Sequence, residues 1–261
     1  MPRKTAAAGL GQTALSAVSV RFSAALPVLL SALLLLILLA ACGGESAPAP
    51  VQEGQESARE AGSEAVPVSG PRLRILALGD SLFAGYNLGE GEGYPAVLES
   101  ALRRRGLDAE VIDAGVSGDT TQAGLQRLDY VLDNAPDALD LAIVELGGND
   151  ILRAIPPEQT RRNLDAILSE LDERGIPVLL MGMRAPPNLG VDFVTSFDII
   201  YPALAEQYDA ALVPFFLEAV YARPELIQPD RIHPTAEGIE ALVAATVDDV
   251  ADALPDASAG P

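Results

Sequence analysis

From position 73 onward, short and mostly apolar runs alternate with stretches in which apolar residues recur every three or four positions. Residues 73–78 (LRILAL), 109–114 (AEVIDA), 141–146 (LAIVEL), 177–182 (PVLLMG) and 211–215 (ALVPF) have strand length and end near glycine, proline or an acidic residue. Between the first two, Tyr94, Val97, Leu98, Ala101 and Leu102 recur at helical spacing, up to the basic end Arg103-Arg104-Arg105 and the stop at Gly106. Leu125, Leu128, Val131 and Leu132 mark a second helix, and Leu164, Ile167, Leu168 and Leu171 a third. Phe197, Ile200, Tyr201 and Leu204 predict one more. A last helix opens at Thr235, a good N-cap, and buries Ile239, Leu242, Val243, Thr246, Val247 and Val250. Strands alternating with helices predict an α/β fold: a three-layer α/β/α sandwich around a five-stranded parallel sheet. Runs apolar on both strand faces fit a sheet covered on both sides. In such sheets ligands bind beyond the carboxyl ends of the strands, so the loops there are where chemistry is expected.

The chain before this domain has a different pattern. Arg3, Lys4 and Arg21 precede a nearly pure apolar run over residues 22–41, closed by Leu39-Ala40-Ala41 before Cys42, the only cysteine. A basic start, an apolar core and small residues at a cleavage point read as a secretory signal. The L-A-A-C ending resembles the bacterial lipobox, which makes Cys42 the lipidated N-terminus of an exported, membrane-anchored protein. An uncleaved membrane helix is the alternative, since twenty apolar residues can span a bilayer. Residues 43–70 contain no aromatic, Leu or Ile and read as a disordered spacer; residues 71–254 form the folded domain and 255–261 a tail. One cysteine allows no intramolecular disulfide. Without Arg3, Lys4 and Arg21 the chain carries 14 basic against 37 acidic residues, a net charge of −23. A surface that negative repels nucleic acid.

Four strand-exit segments hold the reactive side chains. Gly79-Asp80-Ser81-Leu82 follows the first strand, Gly115 to Asp119 the second and Gly147-Gly148-Asn149-Asp150 the third, while Asp230-Arg231-Ile232-His233 follows the fifth at a distance. Serine needs an adjacent base to take its proton. His233 is the only histidine and the only side chain of ordinary basicity suited to that task. Asp230, three residues earlier, is the nearest partner to fix its tautomer. An oxyanion can be held by the N–H of Ser81, the N–H of Gly118 and the carboxamide of Asn149. Each residue alone has a plainer reading: Ser81 as a helix cap, Gly118 as a turn, Asn149 as a local loop partner, His233 as a structural ring. A metal site is disfavoured, because one histidine and one lipidated cysteine leave carboxylates as the strong ligands. A nucleotide-binding sheet would need G-x-G-x-x-G after a strand, and residues 79–85 lack it.

Taken in order, these blocks resemble the SGNH, or GDSL, hydrolase family over residues 73–250. The strings SGDT (117–120), ELGGND (145–150) and IYP (200–202), together with PFF (214–216), look most like its arylesterase, thioesterase I and lysophospholipase group. The resemblance implies a flavodoxin-like three-layer fold, nucleophile Ser81, base His233, orienting Asp230, an oxyanion hole of Ser81, Gly118 and Asn149, and no cofactor. The chain departs from the pattern at Ala154, where close relatives often carry glycine. Ester substrates, small molecules or lipids, are the expected partners. Leu189, Val191 and Phe193, in the segment after the fourth strand, and Ile151, after the third, are expected either to line an acyl pocket or to pack loops onto helices. A carbohydrate or peptidoglycan O-acetylesterase, or an acyl thioesterase, would share the triad. An exported protein rarely meets acyl-CoA.

Overall fold

The structure, a computed structural model, describes residues 68–136 and 138–255. The predicted signal segment, its Cys42 and almost all of the predicted spacer therefore lie outside the described residues. Five parallel strands form one sheet in the order β2-β1-β3-β4-β5: β1 (Ser69–Gly79), β2 (Leu107–Gly115), β3 (Leu141–Glu145), β4 (Val178–Met181) and β5 (Ala211–Val213). β1 enters two residues before the predicted domain start, through an irregular register between Ser69 and Leu73. Its Ile75, Leu76, Ala77 and Leu78 are wholly buried, as is every residue of β3, because helices cover both faces. β5 is shorter than its apolar run: Pro214 follows it and has no N–H for the ladder.

On one side α1 (Tyr94–Arg104) packs on α8 (Ala236–Ala253); on the other α2 (Thr121–Asn134) packs on α4 (Pro157–Glu173). Arg103 and Arg104 close α1 where the helix dipole favours cations, and Thr235 Oγ1 caps α8 by accepting the Gly238 N–H at 3.1 Å. Two features depart from the predicted pattern. A one-turn helix, α3 (Gly148–Leu152), opens directly after β3. The helix expected around Phe197 to Leu204 is two, α5 (Val191–Asp198) and α6 (Ile200–Gln207). Pro202 cannot donate to the Asp198 carbonyl, so the α-helical ladder breaks and restarts. Asp198 instead turns its carboxylate to the Ala185 N–H at 2.8 Å. A short helix, α7 (Glu218–Tyr221), and a 3-10 turn at Pro224–Leu226 carry the chain from β5 towards α8.

β1 sits between β2 and β3, so the chain reverses its direction of travel across the sheet there. The crevice at that switch point is flanked by the exits of all three strands.

Candidate active site

β1 ends at Gly79 and the chain turns at once, with the Ala84 N–H donating to the Asp80 carbonyl at 3.0 Å and the Tyr86 N–H to the Ser81 carbonyl at 3.2 Å. Leu82 and Phe83 go inward, Phe83 stacking on Tyr94 at 4.9 Å between centroids. That anchoring holds Ser81 at the sheet edge with its backbone fixed.

The histidine loop is closed on itself. Ile227 and Pro234 form an antiparallel bridge, the Gln228 N–H donates to the His233 carbonyl at 2.7 Å, and the Arg231 N–H donates to the Gln228 carbonyl at 2.9 Å. Within the loop, Asp230 Oδ1 accepts the N–H groups of Ile232 and His233 at 2.9 and 3.1 Å. Its Oδ2 lies 2.7 Å from His233 Nδ1, and His233 Nε2 lies 2.8 Å from Ser81 Oγ. With the Nδ1 proton directed at Asp230, Nε2 keeps its lone pair for the serine hydroxyl. Desolvation raises the Asp230 carboxyl, but hydrogen bonds from the imidazole and the two N–H groups outweigh it and hold the group below its ordinary value. Tyr86 lies against the imidazole, ring centroids 4.3 Å apart, and Gln228 Nε2 ties the Tyr86 and Pro234 carbonyls at 2.9 and 2.8 Å.

Asn149 enters from the other side of the switch point. Gly147 starts α3 at φ 118°, and a Cβ there would collide with the Tyr201 hydroxyl. Asn149 Nδ2 donates one hydrogen to Asp80 Oδ2 at 2.9 Å, which leaves the second available. Arg153 Nη2 donates to the Gly118 carbonyl at 2.8 Å, joining α3 to the β2 exit, where Gly118 has φ 89°. Among the described residues the N–H groups of Ser81 and Gly118 donate to no protein acceptor. Asp150, wholly buried, braces α3 from below by accepting the Thr121 N–H (2.8 Å), the Thr121 hydroxyl (2.5 Å) and the Thr160 hydroxyl (3.0 Å).

A cavity of about 640 Å³ opens beside Ser81 and Asn149. Of the four residues read as either pocket lining or loop packing, Ile151 lines it. Leu189, Val191 and Phe193 do not: the wall is built instead by Met183, Ala185, Val194, Phe215, Leu217 and Ile232, among others. The physical reason is that residues 191–198 are helical. Helical spacing turns Phe193 onto Phe197, with centroids 6.0 Å apart, and leaves Val191 80 % exposed, while Leu189 packs against the core. Val194, one position on, is the apolar residue this helix presents to the cavity, with Asp198 one turn further along. Phe215 was missed, having been read as part of the fifth strand; Pro214, which ends β5, was the signal that could have placed it on the exit loop. Arg184 lies over the Phe215 ring at 5.2 Å and pairs with Glu218 at 3.6 Å, placing charge at the cavity wall.

Two buried acids stand behind this arrangement. Asp80 is 2 % exposed; its Oδ1 accepts the Leu82 N–H at 3.0 Å and its Oδ2 holds Asn149. Glu145, wholly buried at the end of β3, accepts the Asp80 N–H at 3.2 Å. Burial, and then the charge of Asp80, push Glu145 well above the ordinary carboxylate range. Burial also raises Asp80, against the Leu82 and Asn149 hydrogen bonds. A glutamate ending a wholly buried strand was the sequence signal for this pair.

Residues 77–241 match the GDSL-like lipase/acylhydrolase family. An arylesterase of Vibrio mimicus is 43% identical over 164 residues, covering 63% of this chain and 81% of its own. The thioesterase 1/protease 1/lysophospholipase L1 of Escherichia coli strain K12 is 40% identical over 163 residues, covering 62% of this chain and 76% of its own. Among solved structures, AlinE4, an SGNH-hydrolase family esterase, is 64% identical with a TM-score of 0.61, covering 72% of this chain and 99% of that one. With a parallel α/β/α sheet, Ser81 at the exit of β1 beside the switch point and a match across more than half the sequence, the chain belongs to the GDSL-like lipase/acylhydrolase family.

Proposed function

We propose that this GDSL-type ester hydrolase cleaves carboxylic esters through a covalent acyl-enzyme on Ser81. The observation that carries the reading is the unbroken hydrogen-bonded line from Ser81 Oγ through His233 to Asp230, at the edge of a largely apolar cavity. Ser81 Oγ attacks the ester carbonyl carbon as His233 Nε2 takes its proton, and Asp230 stabilises the imidazolium. The carbonyl oxygen becomes an oxyanion that the Ser81 and Gly118 N–H groups and the second Asn149 N–H can receive. His233 then gives its proton to the departing alcohol, and a water repeats the sequence to release the acid. Asn149, Gly118 and Ser81 are three donors on three separate loops; losing one such donor typically lowers kcat by about 10²–10³-fold.

The cavity volume and its Met183, Val194 and Phe215 walls suit an acyl chain longer than acetyl, which favours acyl esters or lysolipids over O-acetyl sugars. Wild type and Ser81→Ala assayed on p-nitrophenyl acetate, butyrate and octanoate test both parts. The variant is expected to lose at least about 10⁴-fold in kcat. Equal rates would refute the acyl-enzyme, and a strong preference for acetyl would replace the acyl-ester reading with that of an O-acetylesterase. The lipobox-like L-A-A-C pattern further supports export and anchoring to the cell envelope through Cys42. Fatty-acid labelling of the full chain in a bacterial host, lost in Cys42→Ala, is the expected result.

A further inference from the structure

Glu145 has no part in the chemistry assigned to Ser81, His233 and Asp230, yet it occupies the last position of a strand with no exposed residue. Its Oε2 accepts the Asp80 N–H, while Oε1 meets no donor. As a carboxylate, Glu145 would leave that oxygen orphaned in the core; as a neutral carboxyl, it carries a proton to offer Asp80, whose N–H its Oε2 already accepts. Two adjacent buried carboxyls cannot both be ionised. The hydrogen bonds select which keeps the proton. Asp80 accepts from the Leu82 N–H and from Asn149 Nδ2, Glu145 only from the Asp80 N–H. The charge therefore rests on Asp80 and the proton on Glu145.

We propose that Glu145 is a positioning residue: its neutral carboxyl fixes Asp80 by backbone and side chain, and Asp80 in turn aims the free N–H of Asn149 at the developing oxyanion. This rests on the Ser81 acyl-enzyme reading. Without Glu145 the Asp80 N–H loses its acceptor and the Asp80 carboxylate its buried donor. Asp80 is then driven to take up a proton itself or to turn away, and Asn149 loses the acceptor that orients it. Because the oxyanion's charge develops only on the way to the transition state, the damage falls on kcat and spares KM.

The test compares wild type, Glu145→Leu, Glu145→Gln, Asn149→Ala and the double variant Glu145→Leu/Asn149→Ala on p-nitrophenyl butyrate, with Ser81→Ala alongside. Glu145→Leu should lower kcat by about 10–10²-fold with KM within about twofold, a partial loss of one oxyanion donor. Glu145→Gln, which keeps a neutral acceptor and donor, should restore most of that loss. The double variant should fall little below Asn149→Ala alone, since both changes remove the same donor. General damage to the fold would instead make the losses multiply. Infrared difference spectra should show a protonated-carboxyl stretch in wild type and in Ser81→Ala that is missing from Glu145→Gln. Multiplying losses, a Gln variant as impaired as Leu, or no carboxyl band would each overturn the proposal. If Ser81→Ala stayed active, the acyl-enzyme reading would fail separately, and the infrared result would still report the protonation of Glu145. Should Glu145→Leu not fold, the Gln kinetics and the spectra decide.

Discussion

Ala154 is an alanine in a glycine's conformation. Its φ of 48° lies in the left-handed region, and its N–H donates to the Ile151 carbonyl at 3.0 Å, so the turn closing α3 holds it there. A Cβ in that region costs about 1–2 kcal/mol. Ala154→Gly should therefore stabilise the fold by about 0.5–1 kcal/mol after the added unfolded-state freedom is counted, read as a higher urea midpoint at unchanged slope. Arg231, at φ 64°, accepts similar strain inside the histidine loop, where the turn delivers Asp230 Oδ1 to two N–H groups. Asp230→Asn removes the acceptor for the Nδ1 proton and favours the wrong imidazole tautomer. A fall in kcat of about 10³–10⁴-fold with the fold intact is expected, and steady-state kinetics beside a thermal melt would check it.

At the scale of elements, α3 is too short to stand by helix propensity, since one turn cannot meet the cost of nucleation. Asp150 supplies what propensity does not, by collecting three donors from α2 and α4. Asp150→Ala strands those donors and should cost about 3 kcal/mol in urea unfolding, with a loss of kcat because Asn149 rides on the same turn. The neighbouring segment shows why residue type alone could not choose between lining the cavity and packing on the core. Leu189, Val191 and Phe193 looked like an apolar loop beside the site, but α5 has a helical period and exposes only one narrow face to the cavity. Val191→Ser should leave acyl-chain preference and stability unchanged, whereas Val194→Ser should shift preference towards short chains on a p-nitrophenyl ester series.

For the whole molecule, the buried acid pair links stability to pH. Glu145 in the unfolded chain ionises near the ordinary value of 4.5, whereas burial raises its value in the folded state. Between those two values the folded state holds one more proton than the unfolded one, so stability falls as pH rises. The contribution of one proton is about 1.4 kcal/mol per pH unit. Urea unfolding at pH values rising from 4.5 should show stability falling with pH in wild type and the loss of that fall in Glu145→Gln; parallel curves for the two proteins would contradict it. Asp230 acts in the opposite sense, since its folded value is lowered: its stabilisation is present above the unfolded value and lost as pH falls through the folded one.

The strand and helix alternation and Thr235 as a cap were readable along the chain, and the candidates Ser81, Asp230, His233, Gly118 and Asn149 could be placed at strand exits, because period, turn residues and strand exits are local properties. That Asp230 sits three residues before His233 even made their contact an expectation before any fold was known. Other features depend on elements far apart in sequence. The sheet order sets β1 between β2 and β3, which brings residue 81 to residue 233 and residue 80 to residues 145 and 149. The cavity wall, the brace under α3 and the buried acid pair behind Ser81 follow from that assembly. Packing and desolvation are properties of neighbours in space, and a linear pattern of apolar and polar positions does not say which neighbours those are.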